Sequence, residues 1–360
     1  MNSVLVCLGA GKSQVPVIIA AKNLGYDVIA IDMDADAPGF ALADVKLNYS
    51  THDSDSIILA LDSFFRKDHE ESPPLVGIVN RSSGPPVLTA ALIAEHFNIP
   101  AIPIFEARSI LHKDLLRDAC KKNDIPSPKY EVLNSGNNIQ KIPFDMPFVV
   151  KPALSIVGKS GVSVVRTKKQ FIEAISYASK TTLTKKILVE DYIEGTDYSF
   201  IGFVENGEVR RVCILEEING VDKAGKVYGR GFKTFTPLAD IDIALELEKI
   251  SQKIISSFNI TRSPFMASFR FDQIAKLYLI EIHLDIGGDA LIENLFPVAL
   301  NINFPELAVS MAAGGSTFPK DINIKPSAVI FDRGSKLISE RGYKIFEAET
   351  QKELDILLQF

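Results

Sequence analysis

The chain is short of several features, and each shortage closes an option. Three cysteines among 360 residues, Cys7, Cys120 and Cys213, show no CxxC or zinc-like spacing, so no cysteine metal site is expected. No apolar stretch approaches the roughly 18 residues that a membrane-crossing helix needs, because charge interrupts even the densest runs, and no membrane partner is expected. The amino terminus lacks a basic segment followed by an apolar run and a cleavage site, which makes the cytoplasm the expected compartment. Nor is there an excess of positive charge. The 39 Lys and Arg against 45 Asp and Glu leave a formal charge of -6, so nucleic acid is not an expected partner and any anion must be held by a local cluster of cations. Internal repeats and low-complexity tracts are absent. What remains is 46% apolar and 23% charged residues, enough for two or three packed domains.

The first hundred residues alternate short β-branched runs at 4–9, 28–32 and 77–80 with helical patterns near 15–24, 55–66 and 85–96. That alternation predicts a doubly wound parallel sheet whose ligand crevice lies at the strand carboxyl ends, where Gly9-Ala10-Gly11, Asp32 and Arg81 fall. A dinucleotide fingerprint needs a third glycine where Gln14 stands, and a nicotinamide-dependent oxidoreductase would explain nothing after residue 105. From there the pattern becomes α+β, with strands of period two running to about 285 and a helix predicted over 241–258. The expected units are 1–105, 106–185, 186–315 and a small strand-and-helix extension over 316–360.

Four motifs occur in order: HKDLLRDACKKNDIPSP at 112–128, PFVVKPALSIVGKSGVSVV at 147–165, ILVEDYIEGTDYSF at 187–200 and SFRFDQIAKLYLIEIHLDIGG at 268–288. Together they resemble the ATP-grasp superfamily, which includes D-alanine:D-alanine ligase and biotin carboxylase, and the resemblance spans roughly residues 4–315. It implies a parallel pre-ATP-grasp sheet followed by a two-subdomain ATP-grasp fold. The implied activity is ATP-dependent: a substrate carboxylate is activated as an acyl phosphate and joined to an amine, with release of ADP and phosphate. A non-catalytic ATP-binding sensor is the alternative within the same family.

The resemblance also implies roles. Lys113 and Lys151 would contact the nucleotide phosphates, Lys151 from the rigid end of an apolar strand that Pro152 closes. The loop Ser155-Ile156-Val157-Gly158-Lys159-Ser160-Gly161 joins two strands and offers backbone N–H groups to phosphate oxygens. It is not a Walker A loop, because no helix follows it. Glu190 would accept from the adenine amino group, backbone at Tyr192 and Ile193 would meet the ring, and Asp197 would hold the ribose hydroxyls.

The metal face departs from the family pattern. A hairpin of 265–272 with 277–285 would set Ser268 opposite Glu281, where the family has acids at both positions, and Glu281-Ile282-His283-Leu284-Asp285 replaces E-x-N-x-R. Glu281, His283 and Asp285 share one face by strand alternation. Glu281 with Asp285 or Asp272 could carry Mg²⁺, and His283 would suit Mn²⁺. For the carboxylate and the transferring phosphoryl group the candidates are Arg81, Arg230 and Lys233, with Lys223 and Lys226 in the same basic stretch. Gly287-Gly288-Asp289 would open a final long helix. The expected partners are small-molecule acid and amine substrates, with a homodimer as the expected assembly.

Overall fold

A computed structural model describes residues 2–359 apart from 66–72, 136–143, 156–158, 236–240, 289, 316–317 and 333–341. Strands β1 (Val4–Leu8), β2 (Asp27–Ile31), β3 (Val45–Leu47) and β4 (Leu75–Asn80) form a parallel sheet in the order β3-β2-β1-β4. Helix α1 (Val15–Asn23) packs against Leu5, Cys7, Val28 and Ala30 on one face. Helices α2 (Ser54–Phe65) and α3 (Pro86–His96) cover Val4, Val6 and Ile29 on the other. Burial on both faces is why these strands read as continuous apolar runs. This is the doubly wound unit that the alternation predicts; β3 was not foreseen, being too short to show a period.

The Gly9-Ala10-Gly11 turn is filled by the chain itself. The Gln14 side chain lies over both glycines, so that an ideal Cβ at Gly9, which adopts φ +94°, would stand 3.0 Å from Gln14 Cδ. Gln14 also donates to Ser82, and Ala10 N–H donates to Asp32 Oδ2 at 2.8 Å. The space that a dinucleotide pyrophosphate would use in a fingerprint turn is therefore occupied by a side chain.

Helices α4 (Ile104–Leu111) and α5 (Lys113–Lys122) lead into a second sheet of β5 (Tyr130–Asn134), β6 (Phe148–Pro152), β7 (Ser163–Val165) and β8 (Lys186–Asp191), ordered β5-β8-β6-β7 and antiparallel. Helix α6 (Lys168–Thr181) closes its core through Phe171, Ala174 and Ala178. Strand β8, placed at the head of the next unit by the sequence, pairs here with β5 and β6.

The largest sheet has β9 (Gly195–Glu205), β10 (Glu208–Val221), β11 (Val227–Phe235), β12 (Arg262–Asp272), β13 (Leu277–His283), β14 (Ser327–Phe331) and β15 (Tyr343–Glu347), ordered β13-β12-β9-β10-β11-β14-β15. Ile201, Phe203, Cys213 and Leu215 face the first domain, and Phe200, Ile214, Phe265 and Phe269 face the expected helix α7 (Ile241–Ser257). This sheet is thus covered on both faces. The carboxy-terminal strands extend it rather than standing apart, β14 pairing with β11 from Gly231↔Ile330 to Lys233↔Ala328.

No long helix follows Gly288. Asp289 lies outside the described residues; Ala290–Leu295 is a π-helical turn, then come a single turn, α8 (Phe296–Ala299), and a separate α9 (Phe304–Ala312). Pro297 has no N–H to give the carbonyl of Glu293, which a continuous α-helix would require. The chain ends in α10 (Gln351–Leu357), capped by Thr350 and Glu353. Among the described residues no helix is long and apolar enough to cross a membrane.

Candidate active site

A cavity of about 480 Å³ opens between the second sheet and the largest one, with Ser83 and Gly84 of the first domain on its wall. At its floor stands a buried charge triad. Strand β6 delivers Lys151 at its inflexible end, and the Nζ lies 2.7 Å from Glu190 Oε2 on the neighbouring strand β8. Arg117, reaching in from α5, donates through Nε to Glu190 Oε1 at 2.8 Å and through Nη2 to the Ile280 carbonyl at 2.7 Å. All three side chains are buried. One carboxylate is shared by two cations, and Lys113 adds a third at the rim, 3.8 Å from Glu281. Burial pushes the Lys151 ammonium down to about 8, with Arg117 and Lys113 adding to the effect and Glu190 opposing it. Burial works to raise Glu190, but Arg117 and Lys151 outweigh it and hold the carboxyl below its ordinary value.

Both oxygens of Glu190 are engaged by cations, so its carboxylate is a counter-ion for the floor, and it also lines the cavity. Arg117 was missed by the sequence reading, although a signal existed: it stands four residues after Lys113 on α5, on the same helical face.

The Tyr192 ring on the cavity wall meets two guanidinium groups, Arg166 at 5.7 Å and Arg270 at 5.9 Å from its centroid. Arg270, also unforeseen, grips Asp197 with two bonds of 2.6 and 2.5 Å and donates to the Ile193 carbonyl at 2.8 Å. Asn219 donates to Asp197 as well. Asp197 is thereby fixed, and a carboxylate with about four lone-pair sites can still accept from a ribose hydroxyl. The turn before it requires glycine, since an ideal Cβ at Gly195 would fall 1.8 Å from the Phe271 carbonyl oxygen.

The connection from β6 to β7 has the expected strand–loop–strand setting. Ser155 and Lys159 line the cavity, whereas Gly158 lies outside the described residues. Lys159 takes φ +62° beside half-buried Ser160. Gly161, at φ +79°, closes against Thr181 and Pro152, where any side chain would collide.

On the metal face the hairpin register is as expected: β12 and β13 pair Ser268 with Glu281. Glu281 and His283 both line the cavity, His283 Nε2 standing 3.4 Å from Glu281 Oε1. Burial would lower the His283 imidazole, but Glu281 and Asp285 raise it above its ordinary value; Glu281 is held well below its own, by His283 first and then Lys113 and Lys159, against burial. Beside Glu281 the protonated form of the His283 imidazole is favoured, and both side chains stay on the face where the sequence places the metal.

Asp285 turns away to Ser83 Oγ and Gly287 N–H, both at 2.9 Å, and Asp272 caps the hairpin turn at Ile274 and Lys276. Ser268 presents a hydroxyl that donates to Glu217 Oε1 at 2.7 Å. Among the described residues no group of three or more His, Cys, Asp or Glu side chains is gathered to hold a metal unaided. Mg²⁺ carried on a nucleotide takes as few as one or two protein carboxylates, and Glu281 meets that demand.

The three substrate cations are placed otherwise than expected. Arg81 is buried and clamps Glu293 with bonds of 2.5 and 2.7 Å, while its Nε donates to the Gly287 carbonyl at 3.2 Å. A planar guanidinium matched to a carboxylate in this way joins the first domain to the π-helical turn. Lys233 is tied to Glu216 at 2.8 Å and Asp355 at 3.0 Å, fastening α10 to the sheet. Arg230 is half-exposed on β11, away from the cavity lining, and Lys226 stacks over the Tyr177 ring at 4.8 Å.

The ATP-grasp domain family matches residues 144–293. A formate-dependent phosphoribosylglycinamide formyltransferase of Methanocaldococcus jannaschii is 29% identical over 193 residues, 52% of this chain and 46% of the relative. One from Francisella tularensis subsp. holarctica is 28% identical over 204 residues, 54% of this chain and 49% of the relative. The chain spans about half the length of the curated relatives it matches. An L-amino acid ligase structure from Bacillus licheniformis superposes with a TM-score of 0.78 at 19% identity, covering 99% of this chain and 96% of that one. An N5-carboxyaminoimidazole synthetase from Staphylococcus aureus complexed with ADP gives 0.74 at 16% identity, covering 99% and 96%. At these identities the two structures share the fold with it.

Proposed function

We propose that this chain, which belongs to the ATP-grasp superfamily, is an ATP-dependent ligase that joins a small-molecule carboxylate to an amine. One observation carries the reading: Lys113, Lys151 and Lys159 come from three separate elements to line one cavity, which Tyr192 and Asp197 also line. Such a lining suits a nucleotide, with phosphates on the cations, the base near Tyr192 and the ribose near Asp197. Phosphoryl transfer depends on positioning and charge neutralisation rather than on a side-chain nucleophile, which matches these residues. A carboxylate oxygen of the acid attacks the γ-phosphorus, and ADP departs with the electron pair of the broken P–O bond. The amine nitrogen then attacks the acyl carbon, loses its proton, and inorganic phosphate leaves. Ser83 and Gly84 mark the side from which the acid would enter. Glu281 would hold Mg²⁺, which supplies neutralisation of phosphate charge when bound.

The test is a screen of carboxylic acids against amines and amino acids for ADP formation, with ATP and Mg²⁺ stabilising the fold in a thermal melt. ADP release that requires both an acid and an amine supports the reading. Stabilisation by ATP with no ADP from any pair would leave a nucleotide sensor instead.

A pH dependence follows from the floor of the site. Lys151 binds phosphate as the ammonium, and with its pKa lowered to about 8 it loses that charge as pH rises through 8. Glu190, Arg117 and Lys113 are the charged groups facing it. ADP affinity measured calorimetrically from pH 7.5 to 9.5 should weaken above about 8, and Lys151→Met should fall less steeply over that range. A lysine near its ordinary 10.5 would show no fall within the range, and such a result would contradict the assignment.

A further inference from the structure

The acid missing at position 268 has a counterpart two strands away. In the largest sheet the order β13-β12-β9-β10 sets Glu281 beside Ser268, and Ser268 beside Ser199. On β10, Leu215 is paired with Ser199 and Glu217 with Asp197, so Glu217 stands diagonally across from Ser199. Two serines in the middle leave room above the sheet, and the Glu217 side chain extends over them. Its Oε1 accepts from Ser199 Oγ at 2.5 Å and Ser268 Oγ at 2.7 Å, and its Oε2 meets Lys159 Nζ at 2.8 Å. The carboxylate thus lies against Ser268, where an acidic side chain at that position would project beside Glu281.

Resting on the nucleotide reading above, we propose that Glu217 is a carboxylate ligand of the divalent cation that accompanies the nucleotide, supplied from β10 in place of the acid absent at 268. A recessed carboxylate is costly without a compensating cation. Lys159 supplies one in this structure, from a loop residue that also lines the cavity. With Glu281 across the hairpin, the site offers the two protein carboxylates that Mg²⁺ on a nucleotide takes, the remaining positions falling to phosphate oxygens and water. Lys159 is then free to meet a phosphate, so one cation replaces another on Glu217.

The alternative is that Glu217 merely pins the loop through Lys159. Calorimetric ADP affinity with Mn²⁺ and with EDTA separates the two, the quantity of interest being the ratio between them. Wild type should show a ratio of about tenfold or more, E217Q a ratio of about threefold or less, and E217Q combined with S268E a ratio restored toward wild type. E217D, which keeps the charge but withdraws it by one methylene, is the second variant should E217Q fail to fold; its ratio should fall while ADP affinity in EDTA holds. Equal weakening with and without Mn²⁺ in either variant, leaving the ratio intact, would reduce Glu217 to a loop pin and overturn the proposal. No ADP binding by wild type under either condition would instead bring down the nucleotide reading, and this proposal with it.

Discussion

Lys151→Met should weaken ADP binding about 30-fold and reduce ATP-dependent turnover on the order of 10²-fold or more, with the melting temperature unchanged or raised. The asymmetry comes from the triad. Lys151 is one of two cations on a single buried carboxylate, and its removal leaves Arg117 bonded to Glu190 at 2.8 Å, a neutral pair with the geometry intact. Methionine fills much of the same volume with no charge to desolvate, and burial pushes the ammonium down to about 8, so the charged form is the one the interior disfavours. The bound phosphates lose a fixed, charged donor, and such bonds contribute about 1.5–3 kcal/mol each. Calorimetric ADP titration, turnover with an acid and amine pair that supports ADP formation, and a thermal melt give the three readouts. Unchanged ADP affinity would take Lys151 out of the phosphate site, and a steep fall in melting temperature would make it a structural cation.

The contrast between what could and could not be read from the sequence follows sequence separation. The register of Ser268 on Glu281 was legible because the two strands are joined by a short turn, and period-two alternation then fixes every facing pair. Lys151 at the end of β6 and the helix over 241–257 were visible for similar local reasons. The contacts that define the site span much longer stretches: Arg117 and Glu190 are 73 residues apart, Arg81 and Glu293 are 212, Lys233 and Asp355 are 122, and Ser268 and Glu217 are 51. Alternation states which face a side chain occupies but not which distant group meets it. Arg81 shows the consequence. Its place at a strand end suggested an anion-binding cation, yet the partner it meets is a glutamate of its own chain. Glu217 shows the converse, since its importance comes from what the sequence lacks at 268 and from the two serines that let it cross.

Glu190→Gln should destabilise the protein by about 3–5 kcal/mol, seen as a fall of roughly 4–7 °C in the melting temperature. Glutamine keeps the shape and can still accept hydrogen bonds, so the change isolates the charge. Without it, Arg117 and Lys151 stand in the interior with no anion between them, and removing one partner from a buried pair leaves an uncompensated charge. Arg117 cannot shed its proton, whereas Lys151 can. Its pKa, about 8 with Glu190 present, should drop further once the carboxylate is neutral. A cation whose folded pKa lies below its unfolded value lowers stability at acid pH and ceases to do so as pH rises through the unfolded value. The variant's loss should therefore narrow as pH rises from 6 toward 8, because Lys151 is already neutral there in the variant and still charged in wild type. Above about 8 both proteins change together and the gap should stay constant, set by Arg117. Combining Glu190→Gln with Lys151→Met should recover part of the lost stability, which two independent losses would not do. Melts across this pH range decide between the counter-ion role and the adenine-acceptor role that the sequence suggested. Weakened ADP binding with an unshifted melting temperature in Glu190→Gln would restore the latter.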